Sequence, residues 1–457
     1  MTPDQTTRDG TVISRYRRRW QHSTVLKPRL ISIGHLLSGN GANVAITAIS
    51  TAIAARSIGV QAFGVFALVL SIGRVCERLI RFESWQPLIR FAAQPDVESD
   101  KRRLSELFLA GLLLDVGSAL VAALLTVVCG YLLMPVLHLE MRYLPLVCIY
   151  AAAIAINIRG MPTASLRLNG KFRLLAYVQL ISSLIQIIMS VVAMWMGLGL
   201  MAFVVIWTVC QMIDSSLFLW LGFRTLKHLC IPSPLRSQWR GLMAKFPGFI
   251  RFALSTNISS TLRTLTQEAD TILVGAIVGT SSAGMYHIAK RFAKIAQQIG
   301  QQIQTVIYPD MARFWAKADL VAFRNITARV QVALGAVGLG ILGLTVISGK
   351  FLIDLAFGEE FAATYPLLMT QLVAVVLIMH AAPSRSALLA MNRPGFVMAV
   401  AVFSTMLFFA VAFAAMPTYG AIGANYAHIA FAALSAVAMD IAWWSETGMR
   451  LKRSRLA

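Results

Sequence analysis

Apolar runs of about 20 or more residues recur along the whole chain, and they restrict its fold more than any other feature. A helix of that length crosses the roughly 30 Å hydrocarbon core of a bilayer. Hydropathy predicts about twelve such runs, at 31–56, 59–81, 106–133, 144–168, 174–197, 200–223, 249–277, 280–307, 327–348, 364–390, 396–416 and 420–444. We therefore expect an all-α polytopic membrane protein, because a helix satisfies its own backbone hydrogen bonds in lipid.

The composition excludes a soluble protein of ordinary surface polarity. Of the 457 residues, 57% are hydrophobic and 13% are charged, and the mean hydropathy is +0.69. The first thirty residues are polar and basic, without the short apolar core of a cleavable signal peptide. The five cysteines are scattered singly, which indicates neither a disulfide framework nor a metal site. The histidines are also dispersed, so we expect no metal and no cofactor.

The positive charge follows a topological pattern. The chain has 41 Lys and Arg against 20 Asp and Glu, a net charge of +21. Basic residues concentrate near the N-terminus, in alternate loops and in the C-terminal tail, whereas the intervening loops carry few beyond Arg142 and Lys350. This is the positive-inside pattern, so both termini are predicted to be cytoplasmic. The expected partner of this charge is the lipid bilayer and not nucleic acid.

A weak internal repeat relates the two halves of the chain. Segments 54–74 and 274–294 share an offset of 220, and a similar offset relates a later pair of prolines. The matched pairs are Gly59 with Gly279, Gly64 with Gly284, Phe66 with Tyr286, Arg74 with Lys294, and Pro162 with Pro383. Chance similarity between amphipathic hairpins is the alternative. A duplicated six-helix unit predicts two lobes related by an axis along the membrane normal, with a substrate path between them.

The predicted architecture is therefore about twelve transmembrane helices in two six-helix lobes around a central cavity. Its segments are a cytoplasmic basic N-terminal segment (1–30), an N-lobe (31–223), a cytoplasmic linker (224–248), a C-lobe (249–444) and a basic cytoplasmic tail (445–457).

Several cations fall inside the predicted spans, where a charge facing lipid costs a few kcal/mol. They are Arg74, Arg159, Arg263, Lys290, Arg291, Lys294 and Arg385. If they face inward, they line one basic, water-filled cavity that favours an anion. Arginine forks match phosphate and pyrophosphate oxygens. For Arg78 and Arg81, near a helix end, snorkelling to the interface is the simpler interpretation.

Other polar residues in the spans have two interpretations each. Asp115, Glu268 and Asp270 are candidates for proton or sodium coupling, since a buried carboxyl group can exchange protons near neutral pH. Pairing with nearby basic residues is the alternative for all carboxylates in the spans. Gln297, Gln298 and Gln301 continue the helix face of Lys294 and are candidate sugar contacts, or they bridge helices by hydrogen bonds.

Two segments resemble motifs of the Wzx-type oligosaccharide flippases, of the polysaccharide transport family in the multidrug/oligosaccharidyl-lipid/polysaccharide exporter (MOP) superfamily. The first is IAARSIGVQAFGVFAL, starting at Ile53. The second is ADTILVGAIVGTSSAGMYHIAKRFAKI, with Asp270, Gly279, Gly284, Tyr286 and Ala289 at the motif positions. The segment YPDMARF resembles the family's following exit motif. The resemblance covers nearly the whole chain, and its motifs are chiefly structural.

The resemblance implies a flippase and not an enzyme. Its substrate would be a polyprenyl-pyrophosphate-linked oligosaccharide of O-antigen, capsule or exopolysaccharide, moved from the cytoplasmic to the periplasmic leaflet of the bacterial inner membrane. We expect alternating access and ion coupling. A polymerase or other export machinery is a candidate protein partner. The alternatives are a cation-coupled multidrug or metabolite exporter of the same superfamily, which would favour carboxylates in its cavity, and a membrane polysaccharide polymerase, which would need a large periplasmic loop.

Overall fold

The structure, a computed structural model, describes residues 26–82 and 84–456. Its α-helices are α1 (Leu26–Ile80), α2 (Trp85–Ala92), α3 (Pro95–Glu98), α4 (Lys101–Leu133), α5 (Leu144–Ile156), α6 (Gly160–Leu168), α7 (Phe172–Trp195), α8 (Leu200–His228), α9 (Phe249–Ile277), α10 (Thr280–Ala316), α11 (Leu320–Phe357), α12 (Thr364–Ala390), α13 (Pro394–Tyr419) and α14 (Ala421–Leu456). Short 3₁₀ turns lie at Met141–Tyr143, Pro234–Arg236, Leu242–Lys245 and Glu359–Phe361.

The helices follow the predicted spans closely, and the all-α membrane fold is confirmed. The bounds of α9 and α12 coincide with the predicted 249–277 and 364–390. Within the described residues, nine helical segments are long and apolar enough to cross a bilayer. The first of them, Asn43–Ala92, contains parts of two predicted spans. The polar helices α9 and α10 are not among the nine.

Two glycines at repeat-equivalent positions adopt nearly the same unusual backbone conformation. Gly59 breaks α1 with φ 76° and ψ 171°, and Gly279 precedes α10 with φ 122° and ψ 170°. Residues with a Cβ rarely adopt a positive φ of this kind, whereas glycine does so at little cost. The sequence repeat is thus reproduced as the same sharp turn between two helices in each half.

The helices form two groups that meet through α1. Helix α1 packs against α4, α5, α7 and α8, whereas α10 to α14 pack against one another. Between the groups, α1 contacts α9 and α10. The repeat-equivalent glycines meet there: a Cβ on Gly284 would lie 2.9 Å from the Gly64 nitrogen, and one on Gly64 would overlap the Thr280 carbonyl oxygen. Small residues let two membrane helices approach this closely.

The buried apolar residues show where the two groups are joined. One cluster contains residues of both groups, including Phe63, Tyr286 and Phe361, and lies towards the Gly59 and Gly279 turns, here called the turn end. The opposite end of the helices, which carries the basic loops, is here called the basic end. One cluster there lies around Phe91, and a separate one lies around Phe323. Among the described residues, the two groups therefore share a core at the turn end. At the basic end, the cluster around Phe91 includes Phe249 of α9 but no residue of α10 to α14.

Candidate anion-binding site between the two lobes

Two cations from the two lobes converge on one carboxylate. Arg74 on α1 and Lys294 on α10 each stand fifteen residues after a glycine turn, which places both about 22 Å along a helix from it. Arg74 Nε lies 3.6 Å from Glu268 Oε2, and Lys294 Nζ lies 3.5 Å from Glu268 Oε1. The helix repeat therefore brings Arg74 and Lys294 together, and α9 supplies the carboxylate between them.

This site, Arg74–Glu268–Lys294, carries more positive than negative charge and has a free donor. The side chains of Arg74 and Lys294 are 29% and 49% exposed, and that of Glu268 is 10% exposed. Arg74 Nε also donates to the Leu70 carbonyl at 3.3 Å. Arg74 Nη2 is buried and has no hydrogen-bond partner among the described residues. A buried guanidinium donor without an acceptor is costly, so the site favours an added anion.

Lys290, which was predicted to line the same cavity, has a different environment. Its Nζ lies 2.5 Å from Asp270 Oδ1. Asp270 is fully buried and also accepts from the Tyr286 hydroxyl at 2.9 Å and from the Thr271 backbone N–H at 2.6 Å. His428 Nε2 lies 2.9 Å from the same carboxylate. A buried ion pair with this many hydrogen bonds connects α9, α10 and α14.

Arg159 lies in a non-helical segment, 157–159, between α5 and α6. It forms an ion pair with Asp214 on α8, and its Nε donates to Asn157 Oδ1 at 2.9 Å. The Asn157 amide donates to Glu77 Oε1 at 2.5 Å, and Glu77 also pairs with Arg81 at 2.6 Å. Arg159 thus belongs to a network whose members all come from the N-lobe.

Asp115 caps the helix that follows this break. Its Oδ2 accepts from the backbone N–H of Met161 at 2.7 Å, at the start of α6. A Cβ on Gly160 would overlap both Ser84 Oγ and Asp115 Oδ1. A carboxylate at a helix N-terminus satisfies free N–H groups and interacts favourably with the helix dipole. Its predicted part in ion coupling stays a prediction.

The C-lobe contains a polar network that the sequence reasoning missed. His380 Nε2 lies 3.1 Å from Asp440 Oδ2, and Asp440 also binds Ser384 and Gln331 Nε2, the latter at 2.8 Å. Trp443 Nε1 donates to Ser384 Oγ at 3.0 Å. One signal was available in the sequence: Arg159 and His380 each stand three residues before the matched proline.

The remaining predicted site residues stay predictions. Arg291, Gln297 and Gln298 on α10, and Arg385 on α12, are half-buried. The side chains of Arg263 and Gln301 lie outside the described residues.

Comparison with known proteins agrees with this architecture. The family described as "Polysaccharide biosynthesis protein" matches residues 53–366, more than half of the chain. The inner membrane protein YghQ of Escherichia coli (strain K12) is 26% identical over 337 residues, 72% of this chain and 93% of that protein. The teichuronic acid biosynthesis protein TuaB of Bacillus subtilis (strain 168) is 26% identical over 225 residues, 49% of this chain and 44% of its own length.

Solved structures share the two-lobe fold. An inward-facing multidrug resistance transporter of the MATE family, MOP superfamily, aligns with a TM-score of 0.64 and 11% identity over 92% of this chain and 96% of its own. The lipid II flippase MurJ, in an inward closed conformation, aligns with a TM-score of 0.63 and 13% identity over 88% and 86%. These likenesses show that the chain shares the fold of these two solved proteins, which confirms the predicted two lobes. On the family match and this fold, the chain is a multi-pass membrane protein that belongs to the polysaccharide biosynthesis protein family.

Proposed function

We propose that this protein is a flippase that moves a polyprenyl-pyrophosphate-linked oligosaccharide from the cytoplasmic to the periplasmic leaflet of the bacterial inner membrane. The observation that carries the proposal is the convergence of Arg74 and Lys294, from equivalent positions in the two lobes, on a site with excess positive charge. A pyrophosphate supplies several acceptor oxygens and more than one negative charge, which suits an arginine and a lysine together.

The family match and the names of the similar proteins support this substrate class. They concern polysaccharide biosynthesis, an inner membrane protein, teichuronic acid biosynthesis and a lipid II flippase. In our proposal the pyrophosphate binds Arg74 and Lys294, the sugars extend along α10 towards Gln297 and Gln298, and the prenyl tail stays in lipid. Of the other cations predicted for the cavity, Arg159 and Lys290 are paired with Asp214 and Asp270. Arg263, Arg291 and Arg385 contribute to the positive potential that attracts the head group.

The packing of the lobes supports alternating access. At the turn end α10 to α14 share a core with the N-lobe, whereas at the basic end their described residues form a cluster apart from the one around Phe91, which suits a conformation that opens at the basic end between α10 to α14 and the N-lobe. By the positive-inside rule the basic end is cytoplasmic, as are both termini, so this conformation accepts substrate from the cytoplasm. Rocking of the lobes about α1 and α10 then exposes the site to the other side. Ion coupling through Asp115, Glu268 or Asp270 remains part of the proposal.

The alternative of a cation exporter has less support from the described residues. Glu268, Asp270 and Asp214 each have a lysine or arginine partner, which leaves these carboxylates neutralised and not available to a cationic drug. We also propose that the protein is not an enzyme. A membrane polysaccharide polymerase would need a large periplasmic loop, whereas the connections at the turn end, such as the 134–143 segment, are short among the described residues.

The test is lipid analysis of a strain in which the gene is deleted. We expect a lipid-linked oligosaccharide to accumulate on the inner leaflet and surface polysaccharide to be lost. Arg74→Gln and Lys294→Gln should each fail to restore export at normal membrane levels, with export reduced at least about tenfold. Arg142→Gln is the matched control, because Arg142 forms an exposed ion pair with Glu140 away from the site. Normal export by both site variants would contradict the assigned residues, and the absence of any accumulated intermediate would contradict the proposed function.

A further inference from the structure

Glu268 holds its two cations loosely in comparison with the neighbouring buried pair. The distances from Glu268 to Arg74 and Lys294 are 3.6 and 3.5 Å, whereas Lys290 Nζ lies 2.5 Å from Asp270. A well-formed charge-assisted hydrogen bond measures about 2.7–2.9 Å. Glu268 therefore lies within ion-pair distance of both cations without the short contacts that an optimised structural salt bridge has.

The donors around Glu268 exceed what one carboxylate can satisfy. Arg74 Nη2 is buried without a partner, and half of the Lys294 side chain is exposed. Asp270, in contrast, has three protein donors and His428 Nε2 within 2.9 Å and lies fully inside the fold. The Asp270 network is complete, whereas the Glu268 site has free capacity for further acceptor oxygens.

We infer that Glu268 is an internal counter-anion that competes with the substrate's phosphate groups for Arg74 and Lys294. In the empty site its carboxylate balances part of the charge of two cations from different lobes. An incoming pyrophosphate, with more oxygens and more charge, takes over both cations and displaces the carboxylate. This inference rests on the proposed function and adds a role for Glu268 within it.

This arrangement has consequences for specificity and for release. A ligand must supply enough negative charge to outcompete an anion that is already in place, which favours a diphosphate over a monophosphate or a neutral lipid. The same competition returns Glu268 to the cations when the substrate leaves, so that release does not leave two unpaired charges in the membrane. Glu268 thereby weakens the binding of the substrate in the site and accelerates its transport.

The experiment measures binding of undecaprenyl pyrophosphate to the full-length protein in nanodiscs of zwitterionic lipid, with inorganic pyrophosphate as competitor. Glu268→Gln should bind the lipid at least about tenfold more tightly than wild type, discriminate less against undecaprenyl monophosphate, and transport more slowly. The double variant Glu268→Gln with Arg74→Gln should lose this gain in affinity for the lipid. Glu268→Ala, which also removes the charge and should likewise bind the lipid more tightly, gives a second measurement if the Gln variant does not fold.

Glu446→Gln is the matched control. Glu446 is also a carboxylate shared by two cations, Arg393 at 3.2 Å and Arg450 at 3.1 Å, but it lies at the basic end of α14. Glu446→Gln changes the net charge of the protein by the same amount as Glu268→Gln and should leave the affinity for undecaprenyl pyrophosphate unchanged. Equal or weaker binding by folded Glu268→Gln or Glu268→Ala, with wild type binding normally, would overturn the role of Glu268 alone. No binding by wild type would overturn the proposed substrate as well.

Discussion

The two lobes carry the same kind of ion pair at equivalent places but form it differently. Arg159 in the N-lobe and His380 in the C-lobe each pair with a carboxylate from the last helix of their half, Asp214 on α8 and Asp440 on α14. Around Arg159 the membrane helix is interrupted between α5 and α6, whereas α12 runs continuously through His380 and Pro383. The N-lobe side chains are also less exposed, 25% and 8% against 40% and 24%.

The difference shows how one repeat can yield two local structures. Gly160 and Ala381 each stand two residues before the matched proline. In the N-lobe, the absence of a Cβ on Gly160 lets Ser84 and Asp115 approach the start of α6, and Asp115 accepts from the freed backbone N–H of Met161. A broken helix in the membrane needs such partners for its free donors. The N-lobe thus has an arginine at a capped break, and the C-lobe has a histidine on an unbroken helix.

Removal of the arginine should have the largest effect. Arg159→Gln leaves Asp214 buried, and its remaining hydrogen-bond partner within the described part of the chain is Ser182 Oγ at 3.4 Å. We expect the free energy of unfolding to fall by about 3 kcal/mol, as is usual when one partner of a buried ion pair is removed. Thermal unfolding in detergent measures the loss, and the double variant with Asp214→Asn should recover part of it. A loss as small as that of His380→Gln would mean that the two pairs are equivalent.

A methyl group at the helix break should have the next largest effect. Gly160→Ala places a Cβ into Ser84 and Asp115, and we expect a loss of about 2 kcal/mol from overpacking and a weakened cap. The equivalent C-lobe change, Ala381→Gly, should cost only about 1 kcal/mol, the ordinary penalty for glycine inside a helix. Unfolding of the two variants in parallel tests whether the break depends on this glycine. Equal losses would contradict the capping role of Asp115.

The smallest effect should be that of His380→Gln. Asp440 keeps Gln331 and Ser384 in this variant, so we expect a loss of about 1 kcal/mol or less. Thermal unfolding in detergent, run beside Arg159→Gln, measures this loss. A loss of about 3 kcal/mol, as large as that expected for Arg159→Gln, would contradict the difference between the two lobes.

Sequence reasoning predicted helices and repeats well because their signals are local or periodic. The hydrophobic runs predicted α9 and α12 at their observed bounds, since the length of an apolar run follows directly from membrane thickness. Gly59 and Gly279 were recognisable as a pair because a positive φ restricts the choice of residue. The interruption at 157–159 was missed, because it depends on Asp115 from another helix and leaves the apolar run almost unchanged.

By itself the sequence determined that this chain spans a membrane many times and that it carries cations within its spans, and it indicated two related halves. Hydropathy, glycine positions and charge counts are properties of single segments, so they can be read without the fold. Only the tertiary structure decided which cation meets which carboxylate: Arg74 and Lys294 share Glu268, Lys290 pairs with Asp270, and Arg159 pairs with Asp214. These pairings depend on the rotation and mutual depth of helices far apart in the chain, which helix packing sets.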